Sequence, residues 1–194
     1  MLRLGLYGGS FDPVHHAHLI LARQALEDLQ LDRVIFIPAA ESPFKPGNTA
    51  ASAEDRLEMI RLAIQGEPAF AVDRIEIDRE APSYTIHTVK SYKAQYPKEN
   101  LIFLVGEDHV ESLPKWNDFD ELIQLVNFAI LSRSDLPLRV DYPVVRRRID
   151  LSSTEIRRRV VCNLPISYLV PESVLRYINE KNLYRGEELS ERRN

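Results

Sequence analysis

His15 and His18 stand three residues apart at the start of a helix-like pattern, just after the pair Gly8-Gly9 and Ser10. On the first turn of a helix that spacing puts both imidazoles on one face. The apolar run over residues 2–7 reads as a strand, and Leu19, Leu21, Ala22 and Leu26 recur among polar positions as they would on a helix. The stretch is therefore a strand, a tight turn and a helix. Gly8 and Gly9 are expected to let the backbone turn sharply and to leave amides open, so that anionic oxygens reach the turn and the positive end of the helix. Two histidines aimed at such a phosphate pocket would stabilise charge during phosphoryl or nucleotidyl transfer. The same residues could hold a metal, but His15, His16 and His18 come without H-E-x-x-H or Cys ligand spacing. Neither G-x-x-x-x-G-K-[ST] nor G-x-G-x-x-G occurs, so the turn is neither a P-loop nor a dinucleotide fingerprint.

The elements that must position these groups follow in order. Residues 17–29 read as the first helix and 34–37 as a strand buried on both faces, which completes a βαβ unit. The segment 38–46, with Pro38, Pro43 and Pro46, is a loop at a strand's C-terminal end, where open α/β sheets take ligands. Lys45 lies there, within reach of an anion, although a lysine is ordinarily solvated. Residues 52–65 open with the cap Ser52 and Asp55. They carry Leu57, Ile60 and Ile64 on one face with Arg56 and Arg61 off it, the pattern of a packing helix. A third strand over 70–77 changes phase near Asp73. Ser83 or Thr85 can cap a helix ending at Gln95. Residues 101–105 form an unbroken apolar run, expected as a central parallel strand, that stops at Gly106, Glu107 and Asp108. Asp108 there suits either ribose hydroxyls or a helix cap. Trp116, the only tryptophan, offers a flat face for packing or stacking. A helix over 120–126 and a strand over 128–131 lead to Arg133, exposed by default, and a short strand follows near 144–149. Ser152, Ser153, Thr154 and Arg157 then open a second helix start with hydroxyls, free amides and a guanidinium suited to anions.

Composition bounds the rest. The 194 residues suit one α/β domain over residues 1–185, with a polar tail over 186–194. A net charge of −4 leaves no basic footprint, so nucleic acid is not an expected partner. Cys162 is alone, which excludes an internal disulfide and suits a reducing cytoplasm. Arg3 interrupts the start, no signal peptide is read, and no run nears the roughly 20 apolar residues that span a bilayer.

The segment Gly8-Gly9-Ser10-Phe11-Asp12-Pro13-Val14-His15-His16-Ala17-His18 resembles the nucleotidyltransferase signature G-G-[ST]-F-D-P-x-H-x-G-H, in particular that of bacterial nicotinate mononucleotide adenylyltransferases. Ser42 to Lys45, Ser83 to Thr88, Gly106 and Asp108 with Leu113 and Trp116, and Leu151 to Arg157 resemble further signatures of that family. The resemblance implies a Rossmann-like open parallel sheet flanked by helices. It implies transfer of the adenylyl group of ATP to the 5′-phosphate of nicotinate mononucleotide, with release of pyrophosphate, in NAD biosynthesis. On that resemblance His15, His18, Lys45 and Arg157 are catalytic. Gly8, Gly9, Ser10, Phe11, Gly106, Asp108, Ser153, Thr154 and Arg157 bind ATP. Lys45, Tyr84, Thr85 and Trp116 bind the mononucleotide, with the indole stacked on the pyridine ring. Mg²⁺ is expected on the ATP phosphates rather than in a metal site of the protein. Ala17 replaces the signature's Gly, with a methyl expected to crowd the nucleotide, while Phe44 and His87 replace a His and an Asp. Two alternatives stay open: a related transferase acting on another phosphate acceptor, and a nucleotide-binding protein without activity. Preference between nicotinate and nicotinamide, and assembly into a homo-oligomer, are open as well.

Overall fold

The computed structural model of the chain describes residues 1–40, 50–79, 83–135 and 137–185. Among these, six strands form one sheet: β1 Arg3–Gly9, β2 Arg33–Pro38, β3 Phe70–Val72, β4 Asn100–Gly106, β5 Asn127–Ser132 and β6 Val144–Arg146. Their order is β3-β2-β1-β4-β5-β6 with every pair parallel, and the register sets Gly8 beside Ile37 and Tyr7 beside Leu104. The winding direction reverses between β1 and β4, and the crevice outside those strand ends is where such sheets hold ligands.

Parallel strands covered on both faces must be apolar in both phases, and these are. Leu4, Leu6, Ile35, Ile37, Phe103 and Val105 pack on one face against α3 (Thr85–Gln95), the 3-10 helix Glu107–Lys115 and α4 (Phe119–Leu125). Tyr7, Val34, Phe36, Ile102 and Leu104 pack on the other against α1 (His16–Asp28), α2 (Ala53–Ala63), α5 (Ser153–Val161) and α6 (Glu172–Glu180). Ser52 caps α2 by accepting the Asp55 N–H (3.1 Å), as its spacing predicts.

Four local readings change. Gly8 and Gly9 close strand β1 rather than make a turn; the chain turns after them, with Phe11 left-handed at φ 49°. What demands glycine there is space: a Cβ on Gly8 would lie 2.9 Å from Phe103 Cζ, and one on Gly9 3.1 Å from Phe11 Cζ. Strand β3 ends at Val72 because Asp73 takes the Ile75 N–H (2.9 Å) and the Tyr92 hydroxyl on its carboxylate, which diverts the backbone from the ladder. The N-cap of α3 is Tyr84, not Ser83 or Thr85, and no side chain caps that helix. Arg56 is not on an outer face but wholly buried. Among the described residues no helix is long and apolar enough to cross a membrane.

Candidate active site

The loop after β1 delivers His15 as the N-cap of α1 and His18 one turn on. Their rings stack with centroids 3.7 Å apart and planes 19° from parallel, so the shared face read from their spacing is present. The His15 N–H donates to His18 Nδ1 (3.2 Å). With Nδ1 accepting, the proton of a neutral His18 resides on Nε2, leaving that edge as a donor. Burial pushes the His15 imidazole down to about 3, with Arg133 adding to the effect. His18 is held well below the ordinary histidine range by burial, then by the charges of His15 and Arg133. Both rings are therefore neutral near pH 7 in the unliganded protein, and an arriving phosphate would supply the opposite charge that raises them.

The second helix start meets the same loop. Ser152 caps α5 by accepting the Glu155 N–H (3.2 Å). Ser153 Oγ donates to the Pro13 carbonyl (2.9 Å) and Arg157 Nη1 to that of Asp12 (2.6 Å), across some 140 residues of chain. Thr154 Oγ1 lies 3.4 Å from Arg157 Nη2. Arg133, read from sequence as exposed, is half-buried and donates to the Leu151 carbonyl (2.9 Å), which ties the end of β5 to the entry of α5. Glu107 was not singled out by any motif. It accepts from Ser132 Oγ (2.6 Å) and the Arg133 N–H (3.0 Å), so it sets where Arg133 starts. A hollow of about 580 Å³ lies here, lined by Glu107, Arg133, Ser134, Ile149 and Ser152.

Across the switch point a cavity of about 360 Å³ is lined by Gly8, Gly9, Ser10, Tyr84, Thr85, Gly106 and Trp116. Trp116 is half-buried, with its ring edge-to-face against Phe103 (centroids 6.0 Å, 90°) and Phe128 (6.3 Å, 77°). The uncapped start of α3 borders the same space, and Ser83 Oγ accepts the Ala40 N–H (3.2 Å) from the end of β2. Asp108 is exposed and follows Gly106, which itself occupies the N-cap of the 3-10 helix, and its carboxylate lies 3.8 Å from His109 Nε2. Lys45 and Phe44 lie outside the described residues.

Two departures from the signature are placed by the structure. The methyl of Ala17 is fully buried, in the same core cluster as Tyr7 and Val14. His87 is exposed on α3, while Thr88 beneath it is buried and donates to Glu76 (2.8 Å). Sequence reasoning missed Arg56. Its guanidinium donates to the carbonyls of Ser10 (2.8 Å) and Ala40 (3.1 Å), bracing the loop after β1 against the end of β2. A charged residue one position from an apolar stripe carries no signal of that role.

Residues 6–159 match the Cytidylyltransferase-like family. A probable nicotinate-nucleotide adenylyltransferase of Methylacidiphilum infernorum is 46% identical, covering 94% of this chain and 92% of its own. The nicotinate-nucleotide adenylyltransferase of Bacillus subtilis is 38% identical, covering 96% of this chain and all of its own. The solved Plasmodium falciparum nicotinic acid mononucleotide adenylyltransferase complexed with NaAD superposes with a TM-score of 0.79 at 18% identity, over 95% of this chain and 98% of that one, and shares the fold. With the histidine pair and the second helix start converging on one loop, and relatives matched over nearly their full length, the chain belongs to the nicotinate-nucleotide adenylyltransferases, within the Cytidylyltransferase-like family.

Proposed function

We propose that this cleft transfers the adenylyl group of ATP to the 5′-phosphate of nicotinate mononucleotide, giving nicotinate adenine dinucleotide and pyrophosphate for NAD biosynthesis. One observation carries the assignment to residues: Ser153 and Arg157 bond the carbonyls of the loop that presents His15 and His18, beside a cavity walled by Trp116. The mononucleotide phosphate, with a second pKa of about 6, is already anionic and attacks the α-phosphorus without a general base. Pyrophosphate leaves in line. The chain's work is to hold two nucleotides end to end and to meet the charge that develops. His18 donates from Nε2 to a phosphate oxygen, and Arg157 and the first amides of α5 take the pyrophosphate end. The hollow beside Arg133 takes the adenosine. Gly8, Gly9, Ser10 and Phe11 let the triphosphate approach the end of β1, and Asp108 accepts from ribose. Trp116 stacks on the pyridine ring while Tyr84, Thr85 and the free amides of α3 receive its carboxylate. Lys45, from the loop after β2, is assigned to the phosphates.

Donors from His18, Arg157 and the start of α5 line the proposed phosphate region. A Mg²⁺ held by the ATP phosphate oxygens would supply charge neutralisation to the departing pyrophosphate, beside the donors of Arg157 and α5. The lone exposed Cys162 and the absence of a basic footprint support a cytoplasmic enzyme that acts on small nucleotides.

The test is pyrophosphate release from Mg-ATP with nicotinate mononucleotide, nicotinamide mononucleotide or phosphopantetheine at equal concentration. Release fastest with the nicotinate form is expected, and release with none, from protein that binds ATP, would refute the assignment. His18→Ala should lower kcat by about 10²-fold or more, the usual loss of one donor to a developing oxyanion, with an unchanged circular dichroism spectrum. Near-normal kcat would remove His18 from the mechanism.

A further inference from the structure

We propose that Tyr184, which follows the last helix, is a positioning residue for this reaction: its hydroxyl holds the Asp12 carboxylate so that Arg157 stays on the backbone of the histidine loop. The inference rests on the adenylyl-transfer reading of the site. Asp12 is 3% exposed, and its carboxylate accepts three neutral donors: the Tyr184 hydroxyl (2.7 Å), the Ala50 N–H (2.7 Å) and the Ala51 N–H (3.2 Å). Its backbone carbonyl accepts Arg157 Nη1 (2.6 Å). Arg157 thus bonds the carbonyl of the same residue whose carboxylate the three neutral donors hold. A guanidinium bonds an unoccupied carboxylate more strongly than a carbonyl, because both partners are charged. Tyr184 shares Oδ1 with the Ala51 N–H while the Ala50 N–H takes Oδ2, so the phenol completes a shell of neutral donors that leaves the guanidinium on the carbonyl.

The phenol is fit for the task. It is buried, and burial together with the adjacent Asp12 carboxylate holds its proton far above the ordinary tyrosine range, so it remains a donor throughout the working pH range. Its own place is fixed by α6. Tyr177 donates to Asp55 Oδ1 (2.9 Å) and Ser173 Oγ to the Leu62 carbonyl (3.1 Å), which clamps α6 to α2. The far end of the chain therefore sets the cation on which the pyrophosphate end depends.

The experiment is steady-state kinetics of the full chain with Mg-ATP and nicotinate mononucleotide for wild type, Tyr184→Phe, Arg157→Gln and the double variant. Tyr184→Phe keeps the ring in place and loses only the donor. It should lower kcat about 10-fold, as misplacement of a positioned group does, with the KM for nicotinate mononucleotide within about 2-fold. In the Arg157→Gln background the same change should add less than about 2-fold, since its effect runs through Arg157. Unchanged kcat with a lowered melting temperature would reduce Tyr184 to a structural contact, and an equal loss in both backgrounds would break the link to Arg157. Either overturns the inference alone, whereas a wild type that is inactive with the mononucleotide overturns the functional reading with it. If Tyr184→Phe does not fold, Asp12→Asn, which trades one accepting oxygen for an amide, must show the same separation of kcat from KM.

Discussion

His15 and His18 are buried or half-buried bases that the fold keeps neutral, and that choice couples the site to the stability of the whole. The native His15 titrates at about 3 against 6.5 for an unperturbed histidine, so between those values the unfolded chain binds a proton that the native chain refuses. Stability from this source is complete above about pH 6.5 and is lost as pH falls toward 3, by up to about 1.4 kcal/mol per pH unit for each such group. His15→Gln should therefore flatten the loss of the urea midpoint between pH 7.5 and 5. An equally steep loss in the variant would place the acid sensitivity elsewhere. The same low affinity for protons serves the proposed chemistry, because a neutral His18 with Nδ1 already accepting offers one donor edge and no second choice of tautomer.

Strand β1 and its neighbour β4 jointly set the mouth of the cavity walled by Trp116. Gly8 stands one residue before the end of β1, where the Phe103 ring of β4 lies against it, and Phe103 in turn meets the Trp116 ring edge-to-face. A methyl at Gly8 would stand 2.9 Å from that ring and must displace it. Gly8→Ala is expected to cost about 1–3 kcal/mol through overpacking and to raise the KM for nicotinate mononucleotide by shifting Trp116. Thermal melts and KM measured together decide this, and an unchanged KM would show that Phe103 yields without moving the indole. Helix α3 contributes by omission, since without a side-chain cap its first amides stay available to an anion.

At the scale of the molecule, α6 is part of the core rather than an appendage. Val174 and Ile178 are buried in the same cluster as Tyr7, Phe36 and Leu104 of the sheet. Ile178→Ala should destabilise the chain by about 2–5 kcal/mol, the range for truncating a buried aliphatic, read as a lower urea midpoint at unchanged slope. A loss below 1 kcal/mol would mean that the site folds without α6, contrary to the bonds that run from α6 to α2 and from Tyr184 to Asp12.

The alternation of apolar strands with amphipathic helices, the caps Ser52 and Ser152, and the shared face of His15 and His18 were legible in the chain itself. Each is a local pattern whose physics acts within a few residues, as hydrophobic period, capping hydroxyl or histidine spacing. Tertiary structure alone decided the rest. Gly8 needs to be glycine because of Phe103 nearly a hundred positions away, and the buried Arg56 finds carbonyls for its two terminal nitrogens only on other segments. Glu107 holds Arg133 only because β4 and β5 are neighbours, and Asp12 reaches Tyr184 only after every intervening element has packed. A polar side chain's partner is chosen by the approach of distant segments, and no local periodicity records which segment will arrive.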